Sequence, residues 1–223
     1  MEWLTNFGAD LTAFALSAAM VTAYYFYLQR KIRRDATYTI HRLNELARSL
    51  LVIHVMNNPA KDVMAVQTLR NFIMGASLMA STAALLVIGT LTLSGQAESI
   101  AKSWHALNLV GSHGAAIWIV KVLSLLLVFI IAFFSFAMAV RLTNHVVFML
   151  NVPETEAHPN LSPQAVARRL NGAGNYFSIG MRAFFFAVPL VFWLFGPPFL
   201  VVATVVLVFT LHRMDRGDAS AMN

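Results

Sequence analysis

Apolar runs about as long as a bilayer is thick constrain this chain before anything else does. Leu11–Leu28, Phe72–Leu93 and Ile117–Val140 each come close to the roughly 20 residues that carry a helix across about 30 Å of hydrocarbon. A fourth stretch, Ala183–Leu211, is 29 residues long and is broken in its middle by Gly196-Pro197-Pro198. Proline removes a backbone donor and disfavours helix in the residue before it. The stretch therefore reads as a hairpin: a span from about Tyr176 to Phe195, a tight turn, and a short span from Phe199 to Leu211. A single kinked, tilted helix is the other way to read it. Composition agrees with burial in lipid, since 58% of the 223 residues are hydrophobic and 12% charged, against roughly 45–50% and about 25% in soluble domains. The absence of cysteine excludes a disulfide scaffold, a cysteine-ligated metal site and covalently attached haem. The expected fold is an all-α polytopic bundle of five spans, forming one domain over residues 1–223.

Charge sets the threading. With five spans, fourteen of the sixteen Lys and Arg fall on one side, and only Lys102 and Lys121 stay on the other. Four spans would move Arg213 and Arg216 across, giving twelve against four. Basic loops are retained in the cytoplasm, so five spans place the amino terminus outside and the carboxyl terminus inside a bacterial inner membrane. Trp3, Trp104, Trp118 and Trp193 all fall at the outer edge in this threading, as an aromatic belt at headgroup level does. The opening MEWLTNFGAD has two acids and no base, so it lacks the positive start of a cleaved signal.

Helices are expected to overrun the membrane. No Gly or Pro occurs between Ala9 and Asn58, so helix continues past Leu28, bends near Arg33–Ala36, and ends at Asn57-Asn58-Pro59, where Pro59 opens the next helix. Cytoplasmic helical segments are placed at residues 36–57 and 163–175. In the first, Ile40, Leu43, Ala47, Leu50 and Ile53–His54 recur at helical spacing, with Arg42, Glu45, Arg48 and Ser49 largely opposite. Such a helix lies on the lipid surface or packs across the cytoplasmic ends of the bundle, its basic side suited to anionic headgroups. Arg141–Asn151 also lacks a breaker, and Ser162-Pro163 reads as cap and first residue of a helix leading into span four. A short interfacial helix is expected around Trp104 within Ser94–Ala116. Ala15, Ala19 and Ala23 repeat every four residues on span one, as do Ala76, Ala80 and Ala84 on span two. Small faces permit close approach, so these spans are expected to cross at Ala19 and Ala80.

Two polar faces carry what chemistry there is. Gln164, Arg168, Asn171, Asn175, Ser178 and Arg182 recur at steps of three and four, and Gln67, Arg70, Asn71, Ser77 and Ser81 form a second face. Polar groups turned to lipid go unsatisfied, so the faces are expected to meet, either bonding the helices together or lining a hydrated pocket. Arg70, Arg168, Arg169 and Arg182, with no Asp or Glu inside the five spans, favour an anionic ligand and argue against a carboxylate relay. The candidate ligand-binding residues are Gln67, Arg70, Asn71, Arg168, Asn171, Asn175 and Arg182. The seven histidines form no HxxxH or HExxH pattern, and His145 and His212 serve a haem only if separate helices bring them together. No catalytic set, metal-ligating set, resident cofactor or nucleic-acid partner is expected.

AVQTLRN at Ala65–Asn71, running into FIMGASLMASTAA at Phe72–Ala84, and NYFSIGMRAFFFAVPLVFWLFGPP at Asn175–Pro198 resemble the domain of unknown function family 599. The two segments cover about a fifth of the chain and overlap both polar faces. The resemblance implies an all-helical integral membrane protein and brings no activity, ligand or site residue with it. Three function classes stand. The favoured one is a binding protein or carrier for an anionic solute or lipid headgroup. The second is an accessory or scaffold subunit of a larger membrane complex, or a homo-oligomer. The third is a haem- or quinone-linked membrane protein, which an absorbance spectrum separates from the others.

Overall fold

The computed structural model describes residues 2–34, 39–58, 62–95, 115–151 and 158–215. Among them are six α-helices: α1 (Glu2–Arg34), α2 (Ile40–Met56), α3 (Asp62–Gly95), α4 (Ala115–Leu150), α5 (Pro163–Trp193) and α6 (Pro197–Asp215), with a 3-10 turn at Pro159–Leu161. All except α2 are long and apolar enough to cross a membrane. The chain is an all-α, multi-pass membrane protein. Each expected span lies on its own helix, and the helices overrun the bilayer. At 36 residues, α4 is about 54 Å long, against roughly 30 Å of hydrocarbon. The Ser162 hydroxyl accepts a hydrogen bond from the Ala165 amide at 3.3 Å, capping α5, whose first residue is Pro163. Trp193 ends α5 and Pro197 starts α6. Between them Gly196 has φ 141°, a backbone that side-chain-bearing residues rarely adopt, so the stretch is a hairpin and not one kinked helix. The helix start at Pro59, the segment around Trp104, the side chain of Trp3 and most of the Arg33–Ala36 bend lie outside the described residues.

The chain forms two compact units: residues 1–40, 85–130 and 183–223, and residues 41–84 and 131–182. In the first unit α1 and α6 run parallel. Ala13 packs with Trp193 and Leu200, and three turns later Tyr24 and Leu28 pack with Leu207 and Leu211. Partners thus advance together along both helices. Buried positions Asp10, Ala13, Ser17, Tyr24 and Leu28 on α1 face Leu200, Thr204, Leu207 and Leu211 on α6, the step of three and four that a parallel helix seam requires. Ala15, Ala19 and Ala23 fall off this seam and are exposed. Within this unit the seam is built from larger side chains than the alanine repeat supplies.

Near the start of α1 the same seam carries charge. Asp10 is fully buried, pairs with Lys121 Nζ of α4 at 2.8 Å, and accepts a hydrogen bond from the Trp193 indole nitrogen at 2.8 Å. Lys121 Nζ also lies 5.4 Å from the Trp193 ring centroid. Asp10 stands one residue before the expected span from Leu11 and inside the apolar stretch of α1 that starts at Gly8. One expectation is corrected. Trp118 and Trp193, only 7% and 3% exposed, are interior residues and do not form a headgroup belt. A buried charge is tolerated when it is paired and hydrogen-bonded, and Lys121 and the indole meet Asp10 at the same oxygen, Oδ1.

The second unit gathers α2 with the adjoining parts of α3, α4 and α5 around Val52, Leu69, Val146, Val166, Ala167 and Leu170. Above this core Phe177 packs its ring 5.2 Å from Phe72 and 5.5 Å from Phe136. Gly180 makes room for Phe136, since a methyl at that position would overlap its ring.

Candidate functional site

Helix α2 turns His41, Glu45, Arg48, Val52 and Val55 inward, at steps of four, three, four and three. Ile40, Leu43, Leu46 and Leu50 point outward. This reverses the orientation suggested by a basic side lying toward headgroups: the polar face is packed against protein and the leucine face is bare. The reason lies on α5, which offers that polar face an amide at Asn171 and an open position at Gly174.

The contact is specific. Arg48 Nε donates to Asn171 Oδ1 at 3.0 Å. Asn171 Nδ2 donates to Ser49 Oγ at 2.8 Å, and that hydroxyl donates to the Glu45 carbonyl at 2.9 Å. A methyl at Gly174 would overlap the Arg48 guanidinium, so the absence of a side chain there seats the charge against the helix. The two helices are antiparallel: Arg48 meets Asn171 and Gly174, while Val52 clusters with Val166, Ala167 and Leu170.

Electrostatically the cluster is positive. Burial lowers the pKa of His41 below its usual 6.5, and the Arg48 and Arg182 charges push it further the same way, with Glu45 opposing. Burial also draws Arg48 below the ordinary guanidinium value, again with Glu45 opposing, yet a guanidinium stays charged at any pH a protein survives. The Glu45 carboxylate is engaged by Arg42 at 2.8 Å. Arg48 Nη2 is buried and has no hydrogen-bond partner among the described residues. A cationic donor is therefore held in place with capacity left to bind.

Of the residues expected to form a site, Asn171 is buried at its centre and Arg182 is half-buried and acts on His41. Arg168 and Asn175 are exposed on α5. Gln67, Arg70 and Asn71 are exposed on α3, whose buried face is Ala65, Leu69, Ala76 and Ala83 on the opposite side. The two polar stripes thus do not meet through buried side chains, because the small apolar seam of α3 takes the inward position. His41, Arg48, Ser49 and Gly174 are the residues that sequence reasoning missed. Their signal is the three-four repeat running from His41 through Arg48 to Val55. His145 is exposed, and the His212 ring lies 6.1 Å from that of Tyr27. Among the described residues no group of three or more His, Cys, Asp or Glu is placed to hold a metal ion.

A family model described as a protein of unknown function, DUF599, matches residues 12–219. No curated protein and no solved structure matches the chain.

Proposed function

The chain belongs to the DUF599 family of proteins of unknown function, and we propose that it binds an anion at Arg48 and Asn171, either a phosphate-bearing lipid headgroup or a soluble anion of similar charge. The observation that carries this is the buried, unpartnered Nη2 of Arg48. A permanent charge taken out of water needs a counter-charge or further hydrogen bonds. Its surroundings supply the opposite: Arg182 and Arg42, with Glu45 as the acid, and Glu45 is already engaged. An incoming phosphate would accept charge-assisted hydrogen bonds from the guanidinium, the strongest kind available in such a site. The exposed Arg168, Asn175, Gln67, Arg70 and Asn71 add basic and amide surface that would raise anion concentration nearby. The excess of bases on the carboxyl-terminal side supports a site in the cytoplasmic half of a bacterial inner membrane.

Thermal unfolding of the purified protein in a neutral detergent tests the reading. Short-chain phosphatidylglycerol, phosphatidylcholine and inorganic phosphate are each titrated against wild type and Arg48→Gln. Ligand at a hundredfold its Kd stabilises by about 2.7 kcal/mol, which raises the melting temperature by roughly 5–10 °C for a chain of this size. Phosphatidylglycerol is expected to give that shift, phosphatidylcholine none, and Arg48→Gln none while melting close to the parent. A shift with inorganic phosphate alone identifies a soluble anion as the ligand. Equal shifts in wild type and Arg48→Gln, or none with any anion, contradict the reading.

A further inference from the structure

In the first unit, α5 and α6 leave an open groove of about 310 Å³ between them. Phe185, Val188 and Phe192 line it from α5, and Val202, Ala203 and Val206 from α6, with Phe199 at one end and Thr210 at the other. The only hydroxyl among the lining residues is that of Thr210, which donates to the Val206 carbonyl of its own helix at 2.9 Å. A buried water needs two or more polar partners, so the groove offers water nothing to hold. Both helices are apolar enough to cross a membrane, and no Lys, Arg, Asp or Glu occurs between Arg182 and Arg213. From Phe199 to Thr210 the groove follows about 16 Å of helix. That is roughly half of a hydrocarbon core about 30 Å thick, the depth of one leaflet. Such a length at such a volume is narrow, with room for a hydrocarbon chain and not for a helix about 10–12 Å across.

The groove leads to a cation. On α6, Val202, Val206, Thr210 and Arg213 follow one another at steps of four, four and three, so they share one face of the helix. Arg213 is exposed, its Cζ 5.8 Å from the Phe209 ring centroid, and it has no ion pair or hydrogen bond among the described residues. Asp215, the one acid on α6, is engaged elsewhere: the Tyr24 hydroxyl of α1 donates to its Oδ2 at 2.7 Å. We propose that this groove holds one acyl chain of an anionic phospholipid, with the lipid phosphate on Arg213. The hydrocarbon tail matches the apolar lining, and the phosphate accepts charge-assisted hydrogen bonds from the guanidinium. A phospholipid answers both along one line. Two copies of the chain joined through this face by a two-fold axis would instead set Arg213 against Arg213. The site is separate from Arg48, which belongs to the second unit.

Phosphatidylglycerol and phosphatidylcholine, each carrying a photoreactive diazirine midway along one acyl chain, are compared as trace probes in vesicles of unlabelled phosphatidylcholine. Cross-linked residues of the full-length protein are located by mass spectrometry. Leu78, 69% exposed on membrane-spanning α3, is the reference for ordinary lipid contact. Relative to Leu78, labelling of the groove by the phosphatidylglycerol probe is expected to exceed that by the phosphatidylcholine probe several-fold. Arg213→Gln should remove that preference. Ala203→Phe, which fills the groove, should remove the groove labelling and leave that of Leu78. Equal groove labelling by the two probes overturns the proposal, as does a preference that survives Arg213→Gln. Labelling of Leu78 with none in the groove also overturns it. The chain contains no cysteine, so disulfide-linked dimers of Val206→Cys formed on oxidation would overturn it too and identify a second copy as the occupant. Arg48 takes no part in these readouts, so this proposal and the anion reading can fail separately.

Discussion

Asp10 and Lys121 show what a single residue decides in this molecule. Each is almost wholly buried, and they are 2.8 Å apart. Removing one partner leaves the other charge bare in a low-dielectric interior, which costs about 3–5 kcal/mol, whereas replacing both is far better tolerated. Asp10→Asn and Lys121→Met are each expected to lower stability on that scale in detergent melts. The double variant should recover much of the loss, and additive losses would show that the pair is not coupled. The pairing is not legible in the sequence, because Asp10 stands one residue before an apolar run and nothing local says whether it caps the run or enters it. Its partner sits on a distant helix. His41 gives a pH prediction. Its folded pKa is lowered from 6.5 by burial first and then by Arg48 and Arg182. Its contribution to stability is thus present in full above the ordinary value and lost as pH falls through the lowered one. Below about pH 6 wild type should lose melting temperature faster than His41→Ala. Phosphatidylglycerol should offset that loss, since a charged His41 adds a cation to the site. Identical pH profiles for the two proteins would count against the assignment.

Elements were legible wherever backbone chemistry marks them. Ser162-Pro163 opens α5 and Gly196 separates α5 from α6, as local rules require. Gly196→Ala forces a side chain into a backbone region that disfavours it, at a cost of about 1–3 kcal/mol, readable as a lower melting temperature. An unchanged melt would mean that the turn relaxes freely. The overruns were legible too, because the stretches around Gln67, Arg70 and Arg141 carry no Gly or Pro to stop α3 and α4 at the end of the apolar run. The orientation of α2 was not legible at all. Amphipathicity separates two faces, but in a membrane protein either face can be the outer one, and only the amide and the glycine of α5 decide. Gly174→Ala tests that decision. The methyl meets the far end of the flexible Arg48 side chain, so the guanidinium should swing out while the helices stay packed. The expected result is a melting temperature near that of the parent with the phosphatidylglycerol shift lost; a retained shift would show that Arg48 does not need its seat on α5.

At the scale of the whole molecule, the expected threading rests on charge asymmetry. Lys121 is not a loop cation but a paired interior one, so one of the two bases counted on the sparse side is not free. Fusion of a reporter to the carboxyl terminus is expected to give activity only with a cytoplasmic enzyme; activity only with a periplasmic one would invert the threading and move the Arg48 cluster to the outer leaflet. We propose that a half-buried cluster, with Arg48 and Arg182 as its charges and Asn171 and His41 beside them, holds a phosphate-bearing ligand. Native mass spectrometry of protein extracted directly from its membrane tests this most directly. Wild type is expected to carry a bound anionic lipid or phosphate adduct in defined stoichiometry, and Arg48→Gln to lose it at the same charge states and with the same fold. An adduct equally abundant in Arg48→Gln, or a bare wild-type protein, would contradict the account.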